Sequence, residues 1–162
     1  MSEKQYKLVT CTINGEKRET MVDVRASLTD MLRNDYRLTS VKKGCEVGEC
    51  GACNVLIDGE SFNSCIYLAV WAEGKSIVTL EGLMTPDGKI SDIQQAFIDE
   101  AAVQCGFCTP GIIMSTVEVL NSGKEYSRDE LRKLLSGHFC RCTGYENILN
   151  AVEKVMHDRR EA

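Results

Sequence analysis

The sequence lacks the features that mark several common classes of protein. Acidic residues outnumber basic ones by 24 to 19, which gives a net charge of −5 at pH 7, and no basic run occurs. This balance argues against nucleic acid or an anionic membrane as the partner. The longest apolar run, residues 65–72, falls far short of the ~20 residues that a membrane span needs. The first residues have no apolar core, so we expect no secretory signal and a cytoplasmic protein.

Motifs of catalytic and nucleotide-binding proteins are also missing. The sequence contains no G-x-G-x-x-G turn, no P-loop lysine signature, and no nucleophile and base at a recognisable spacing. It has two histidines, His138 next to a cysteine pair and His157 in a charged segment. We interpret His138 as structural, with tuning of a neighbouring metal cluster as the alternative. We therefore expect no catalytic residue in this chain.

Cysteine, by contrast, is abundant, with nine residues in 162. Because no export signal accompanies them, metal binding or redox chemistry explains them better than disulfides do. Cys11 lies alone inside a predicted strand and is interpreted as a small buried apolar residue. The other eight form two groups of four, namely Cys45, Cys50, Cys53 and Cys65, and Cys105, Cys108, Cys140 and Cys142.

The first half of the chain has the pattern of a small α+β unit. Residues 6–13 alternate between apolar and polar side chains, which predicts a strand. Asn14-Gly15 then predicts a type I′ hairpin turn into a second strand, and Ser27 predicts the start of a short helix. The remaining predictions are a surface loop at residues 41–53, strands at residues 54–57 and 76–80, and a short helix at residues 64–72.

The second half has a helical pattern. Residues 82–89 have the composition of a connector, after which apolar residues recur at helical spacing. Four helices with short links predict a small bundle, so the fold class is α+β with domains at residues 1–82 and 83–162. The helix start signals are the capping boxes Ser91/Gln94 and Ser127/Glu130, Thr109 as an N-cap followed by Pro110, and a last helix from about Tyr145.

The first cysteine group has gaps of x4, x2 and x11 between its members, which is the plant-type ferredoxin pattern for a 2Fe–2S cluster. Three close thiolates can wrap one side of two irons and two sulfides, while the fourth arrives from a more distant segment. Gly44, Gly48 and Gly51 allow backbone N–H groups to approach the negatively charged sulfurs. Zinc sites usually use two close pairs, so zinc is the weaker alternative here and disulfides are weaker still.

The second group consists of two close pairs, Cys105-x2-Cys108 and Cys140-x1-Cys142, which suit zinc as well as an iron–sulfur cluster. Each pair precedes a predicted helix. Free N–H groups and the macrodipole at a helix N-terminus favour an anionic cluster. The residues alone therefore favour iron–sulfur here and leave zinc open.

Three cysteine-containing segments carry a resemblance to a known family: residues 41–53 (VKKGCEVGECGAC), 104–111 (QCGFCTPG) and 140–145 (CRCTGY). Together they resemble the iron–sulfur subunit of the molybdenum hydroxylases, the xanthine dehydrogenase family. Residues 63–75 (NSCIYLAVWAEGK) are most similar to the small subunit of bacterial xanthine dehydrogenases. The resemblance extends from about residue 8 to residue 155 and includes all eight grouped cysteines.

The resemblance implies a ferredoxin-like β-grasp domain followed by a four-helix bundle domain, each holding a 2Fe–2S cluster on its four cysteines. It also implies two partner subunits, one with a molybdopterin-type molybdenum cofactor and one with FAD, in a heterotrimer that could dimerise. Gln104, otherwise an ordinary solvated residue, and Cys142 would contact the pterin. Electrons would pass from the pterin to the helical-domain cluster, then to the ferredoxin-domain cluster, and on to FAD.

The hypothesis from the sequence is therefore an electron-transfer subunit of a molybdenum hydroxylase acting on xanthine or a related purine. Nicotinate, aldehyde, carbon monoxide and aromatic acyl-CoA enzymes use similar small subunits and are alternatives for the complex. A free-standing ferredoxin-like carrier and a zinc-stabilised interaction module are alternatives for the chain itself.

Overall fold

The computed structural model of the chain describes residues 5–85 and 87–161. Within these residues it has a mixed fold with one five-stranded sheet and five α-helices, which confirms the predicted α+β class. The strand order is β2-β1-β5-β3-β4, in which β1 and β5 run parallel and the other neighbours run antiparallel. The strands are β1 (Tyr6–Ile13), β2 (Glu16–Asp23), β3 (Asn54–Ile57), β4 (Glu60–Asn63) and β5 (Ser76–Val78).

The β1–β2 hairpin follows its sequence pattern closely. Val9, Cys11 and Ile13 point into the core, as the alternation predicts, and Cys11 is buried. Asn14 and Gly15 both have positive φ, 50° and 83°, which a type I′ turn requires. The turn therefore sets the register in which Ile13 pairs with Glu16.

The prediction of a helix at residues 64–72 is wrong for residues 64–68. A single 3₁₀ turn forms at Ala69–Ala72, while the residues before it are not helical. Their backbone groups bond to distant partners instead. The Tyr67 carbonyl accepts from the N–H of Leu28 at 2.7 Å, and the Ser64 N–H donates to Cys53 at 3.4 Å. Such tertiary bonds override a local helical preference.

Two further short elements differ in their limits. The helix capped by Ser27 is α1 (Leu28–Asp30), which continues as a π-helical turn at Met31–Asp35. The strand predicted at residues 76–80 ends at Val78, because the next N–H, that of Thr79, donates to the Asn14 side chain at 2.9 Å. A 3₁₀ turn at Leu80–Leu83 follows.

The second half is helical, as predicted, and both capping boxes form as predicted. Thr109 is not the N-cap of its helix, since Cys108 holds that position in a helical conformation and Thr109 is the first helical residue. In this half α2 packs against α3 and α5, and α4 packs against α5. The helices are α2 (Asp92–Asp99), α3 (Thr109–Asn121), α4 (Arg128–Leu134) and α5 (Glu146–Glu161).

The described residues form two apolar cores, which are separated along the sequence by residues 78–92. One is formed by buried side chains between Val9 and Ile77, and the other by buried side chains between Ile93 and Val155 together with Leu56. Helix α3 joins the halves, because it packs on β3 and β4 as well as on α2 and is buried along residues 110–117. Within residues 5–85 and 87–161, no helix is long and apolar enough to cross a membrane.

Candidate metal centres

The first cysteine group comes together as two pairs of thiols. Three members lie in the loop before β3, and Cys65 follows β4. The sulfur of Cys50 contacts that of Cys45, and the sulfur of Cys53 contacts that of Cys65. All nine cysteines lie in the described ranges, and none of them forms a disulfide.

Backbone N–H groups converge on the Cys45 sulfur. Those of Val47, Glu49 and Cys50 donate to it at N···S distances of 3.5, 3.3 and 3.4 Å. These bonds, that of Val47 foremost, lower the pKa of the Cys45 thiol to about 6. The loop thus stabilises a thiolate, the form in which cysteine binds metal.

Positive φ angles shape this loop. Gly48 (φ 83°) donates its N–H to the Cys65 sulfur, and Glu46 also has a positive φ of 57°. At Gly44, an added Cβ would lie 2.9 Å from the Cys50 sulfur, so the backbone passes close to this thiol. The glycines therefore allow the close approach that the sequence predicted, whereas the left-handed conformation of Glu46 has no signal in the sequence.

The second cysteine group also consists of two pairs, but each pair joins the two distant segments. The sulfurs of Cys105 and Cys142 lie 3.6 Å apart, and the sulfurs of Cys108 and Cys140 are also in contact. Cys105 and Cys142 are exposed, whereas Cys108 is buried at the start of α3. One edge of the group is therefore open and the other is covered.

The thiol pKa values of this group are shifted in different directions. Burial, followed by the contact with Cys140, raises the pKa of Cys108 to about 12. Burial also opposes ionisation of Cys140, but the Thr143 hydroxyl, 3.1 Å from its sulfur, and two backbone N–H groups outweigh it and lower the pKa. The Phe107 N–H lowers the pKa of the exposed Cys105.

Tyr145 holds the loop that carries the Cys140 pair. Its hydroxyl accepts from the Cys140 N–H at 2.8 Å and donates to the His138 carbonyl at 3.2 Å. The last helix, α5, begins at Glu146, one residue after the start expected near Tyr145. Sequence reasoning missed this role and placed Tyr145 in the helix. The motif C-R-C-T-G-Y contains the residue but gives no sign that its chain turns back on itself.

The two cysteine groups adjoin each other. The Phe139 N–H, next to the second group, donates to the carbonyl of Cys50 in the first group at 3.1 Å. The backbone of Gly51 packs closely on that of Gly111, where an added Cβ would lie 2.1 Å from the Gly51 oxygen. His138 is buried at the same junction. The fold therefore places the two groups within one continuous hydrogen-bonded region.

The donor set fits two iron–sulfur clusters better than single metal ions. A single zinc ion needs four ligands at about 2.0–2.3 Å from one point. Across residues 5–85 and 87–161, no three His, Cys, Asp or Glu side chains are placed to hold one metal ion together. A 2Fe–2S cluster uses four thiolates on two irons. Paired thiols with backbone N–H donors match that requirement.

Gln104, the predicted pterin contact, is exposed. It directly precedes Cys105, at the edge where Cys105 and Cys142 are also exposed. The exposed apolar side chains of Val103 and Phe107 flank the same segment. The surface around Gln104 is therefore accessible to another molecule.

Two family descriptions match the chain. Residues 11–76 match the 2Fe–2S iron-sulfur cluster binding domain, and residues 79–153 match a second 2Fe–2S binding domain. Curated relatives include the xanthine dehydrogenase iron-sulfur-binding subunit of Escherichia coli O157:H7, which is 49% identical and covers 94% of this chain and 96% of its own length. The caffeine dehydrogenase subunit gamma of Pseudomonas sp. (strain CBB1) is 48% identical, with coverage of 91% and 90%.

A solved structure has the same fold. The quinoline 2-oxidoreductase from Pseudomonas putida 86 contains a chain that superposes with a TM-score of 0.91. It is 44% identical, and the superposition covers 98% of each chain. The likeness therefore extends over almost the whole length of both chains.

Proposed function

This chain belongs to the family of iron–sulfur subunits of molybdenum hydroxylases, and we propose that it relays electrons from a molybdopterin site on one partner to FAD on another. When bound, each 2Fe–2S cluster accepts and releases one electron. The protein supplies the thiolates, the N–H donors and the spacing. The observation that carries the proposal is the assembly of eight cysteines into four contacting thiol pairs.

Each thiol pair is proposed to bind one iron. The pairs Cys45/Cys50 and Cys53/Cys65 would hold the first cluster, because their sulfurs contact each other and receive backbone N–H donors. Such donors offset the negative charge of the sulfurs and help set the reduction potential. The second cluster would be held by the pairs Cys105/Cys142 and Cys108/Cys140.

We propose the direction of electron transfer from the residues exposed at the edge of the second cysteine group. Gln104 and Cys142 lie at the open edge of the second group, where they would contact the pterin of the molybdenum subunit. The bond from the Phe139 N–H to the Cys50 carbonyl would connect the second cluster to the first. The first group would then face the FAD subunit.

Apolar surface around both cysteine groups supports docking of two partners. Large exposed apolar side chains on a monomer often mark an interaction surface. Near the second group these are Val103, Phe107 and Phe139, and near the first group they are Val47 and Ile66. We propose a heterotrimer with one molybdenum subunit and one FAD subunit, which can dimerise.

The proposed location of the protein is the cytoplasm, because unpaired thiols and iron–sulfur clusters suit a reducing compartment.

The domain division is part of the proposal. Separate apolar cores support a ferredoxin-like β-grasp domain at residues 1–82 and a four-helix bundle domain at residues 83–162. Packing of α2 on α3 and α5, and of α4 on α5, supports the bundle. Leu56 belongs to the core of the second half, so the two domains would not separate freely.

The substrate proposed for the complex is xanthine or a related purine. Relatives named for xanthine, caffeine and quinoline all bear the names of nitrogen heterocycles. Enzymes for nicotinate, aldehydes, carbon monoxide or aromatic acyl-CoA are the alternatives, since the pocket that selects the substrate would lie on the partner subunit.

Purification of the native complex through a tag on this chain tests the proposal. We expect molybdenum and FAD to co-purify, with ~4 iron atoms per chain and xanthine-dependent reduction of a dye. A brown chain that elutes alone would indicate a free carrier. A colourless chain with stoichiometric zinc would indicate an interaction module. About two irons per chain would exclude the second cluster.

A further inference from the structure

His138 is buried at the junction of the two cysteine groups. The residue is 4% exposed, and it precedes Cys140 by two residues. A buried polar ring needs partners, and those of His138 lie on both halves of the chain.

One side of the imidazole is anchored to α3. Nε2 lies 2.8 Å from the hydroxyl of Ser115, and this hydroxyl also accepts from the Asn54 side chain at 2.9 Å. Because Asn54 begins β3, the network joins the helical half to the sheet. The Ser115 hydroxyl also donates to that of Ser61 in β4 at 3.3 Å, so the network reaches a second strand.

The other side of the imidazole faces the first cysteine loop. Nδ1 is buried and has no partner at regular hydrogen-bond geometry. The backbone group that interacts with the ring on this side is the carbonyl of Gly51. An added Cβ on Gly51 would lie 2.3 Å from Nδ1, so no other residue fits there without movement. Gly51, the residue after Cys50, is thus packed against the ring.

Phe139, the residue after His138, also contacts the first cysteine loop. Phe139 donates its N–H to the Cys50 carbonyl at 3.1 Å, and the chain then enters Cys140. Phe139 therefore binds Cys50 while His138 packs against Gly51, and the two residues lead directly to a cysteine of the other group. A shift of the ring would move one cysteine loop relative to the other.

We propose that His138 is a positioning residue that fixes the spacing and orientation of the two clusters relative to each other. This inference rests on the proposed function, since it requires both clusters. Magnetic coupling between two paramagnetic centres and electron transfer between them both depend steeply on their separation. Hydrogen bonding in the layer around a metal site also tunes its potential.

The test compares His138→Leu with His138→Gln, which keeps a donor and an acceptor, and with His157→Leu, which removes the exposed second histidine. The readouts are the spin–spin splitting of the two cluster signals in electron paramagnetic resonance (EPR) of the fully reduced complex, and both midpoint potentials. We expect His138→Leu to alter the splitting, to shift both potentials and to slow FAD reduction by substrate about tenfold. His138→Gln should retain much of the splitting, and His157→Leu all of it.

Wild-type splitting and potentials in His138→Leu, with both clusters present, would overturn the inference. Should His138→Leu fail to assemble, Ser115→Ala removes the partner of Nε2, together with the bonds of that hydroxyl to Asn54 and Ser61. It should alter the splitting in the same direction, though less; an unchanged splitting there would contradict the inference. Failure of the proposed function looks different, because the wild-type complex itself would then lack two cluster signals.

Discussion

The backbone N–H of Phe139 donates to the carbonyl oxygen of Cys50 over 3.1 Å, and through this bond the loops of the two cysteine groups meet. Cys50 belongs to the first group, and Phe139 directly precedes Cys140 of the second. The close packing of Gly51 on Gly111 leaves no room for a side chain between the first cysteine loop and the start of α3. An electron-transfer chain needs such proximity, and the sheet and α3 provide it together.

Replacing a proposed ligand should remove one cluster and leave the other. Cys65→Ala takes one thiol from the first group, so we expect the loss of about two irons per chain and of one EPR signal. Cys11→Ala is the matched control, because Cys11 is buried in the sheet and belongs to neither group. It should lower stability by about 1 kcal/mol and retain every iron. Loss of both signals in Cys65→Ala, or of either signal in Cys11→Ala, would contradict the assignment.

The Tyr145 hydroxyl should stabilise the second cluster specifically. Tyr145→Phe removes the acceptor of the Cys140 N–H and the donor to the His138 carbonyl, at a cost of about 1–3 kcal/mol. Heating the complex while monitoring EPR should show the second cluster signal lost at a lower temperature. Tyr126→Phe, which loses a hydroxyl bonded to Ser122, is the control and should leave the signal unchanged. Equal behaviour of the two variants would show that the hydroxyl of Tyr145 does not hold the loop.

A side chain at Gly51 should disrupt the junction between the loops. Gly51 has φ 70°, and a Cβ there would lie 2.3 Å from His138 and 2.7 Å from the Gly137 oxygen. We expect Gly51→Ala to destabilise the protein by about 3 kcal/mol or more, from left-handed strain and steric overlap together. Gly59→Ala separates the two effects, since Gly59 has φ 94° and nothing within 4 Å of the added Cβ. Gly59→Ala should lower the free energy of unfolding by about 1–2 kcal/mol, as measured by thermal unfolding. A Gly51→Ala variant no less stable than Gly59→Ala would exclude the close packing.

The ion pair between Asp92 and Arg159 should give α2 and α5 a small stability term that depends on pH. The hydrogen bond from Arg159 lowers the pKa of Asp92. A lowered carboxyl pKa stabilises the fold above the unfolded pKa of about 3.9, and this contribution is lost as the pH falls through the folded pKa. Because the pair is partly exposed, Asp92→Asn should cost only about 0.5 kcal/mol at pH 7. Chemical denaturation at pH 7 and near pH 3 should show this difference shrinking in acid; a constant difference would exclude the ionic contribution.

The sequence predicted the features that depend on neighbouring residues. The turn at Asn14-Gly15 and the capping boxes beginning at Ser91 and Ser127 formed as expected, because each needs only a few adjacent side chains. The α+β class followed from the change of periodicity near residue 82. Grouping of the cysteines came from their spacing, and the structure brings each group together.

The contacts between distant segments could not be predicted. The chain near Tyr67 is not helical because its backbone bonds to Leu28, and the Cys140 loop turns back because the Tyr145 hydroxyl bonds to it. The position of His138 against Gly51 depends on packing of α3 on the sheet, which no local pattern encodes. These tertiary contacts shape the two sites.

The central claim is that this chain holds two 2Fe–2S clusters close together, and EPR spin quantification of the dithionite-reduced, purified complex tests it most directly. The account predicts two distinguishable signals that together integrate to about two spins per chain, with additional splitting from their interaction at low temperature. A single signal of about one spin per chain in an active complex would contradict it.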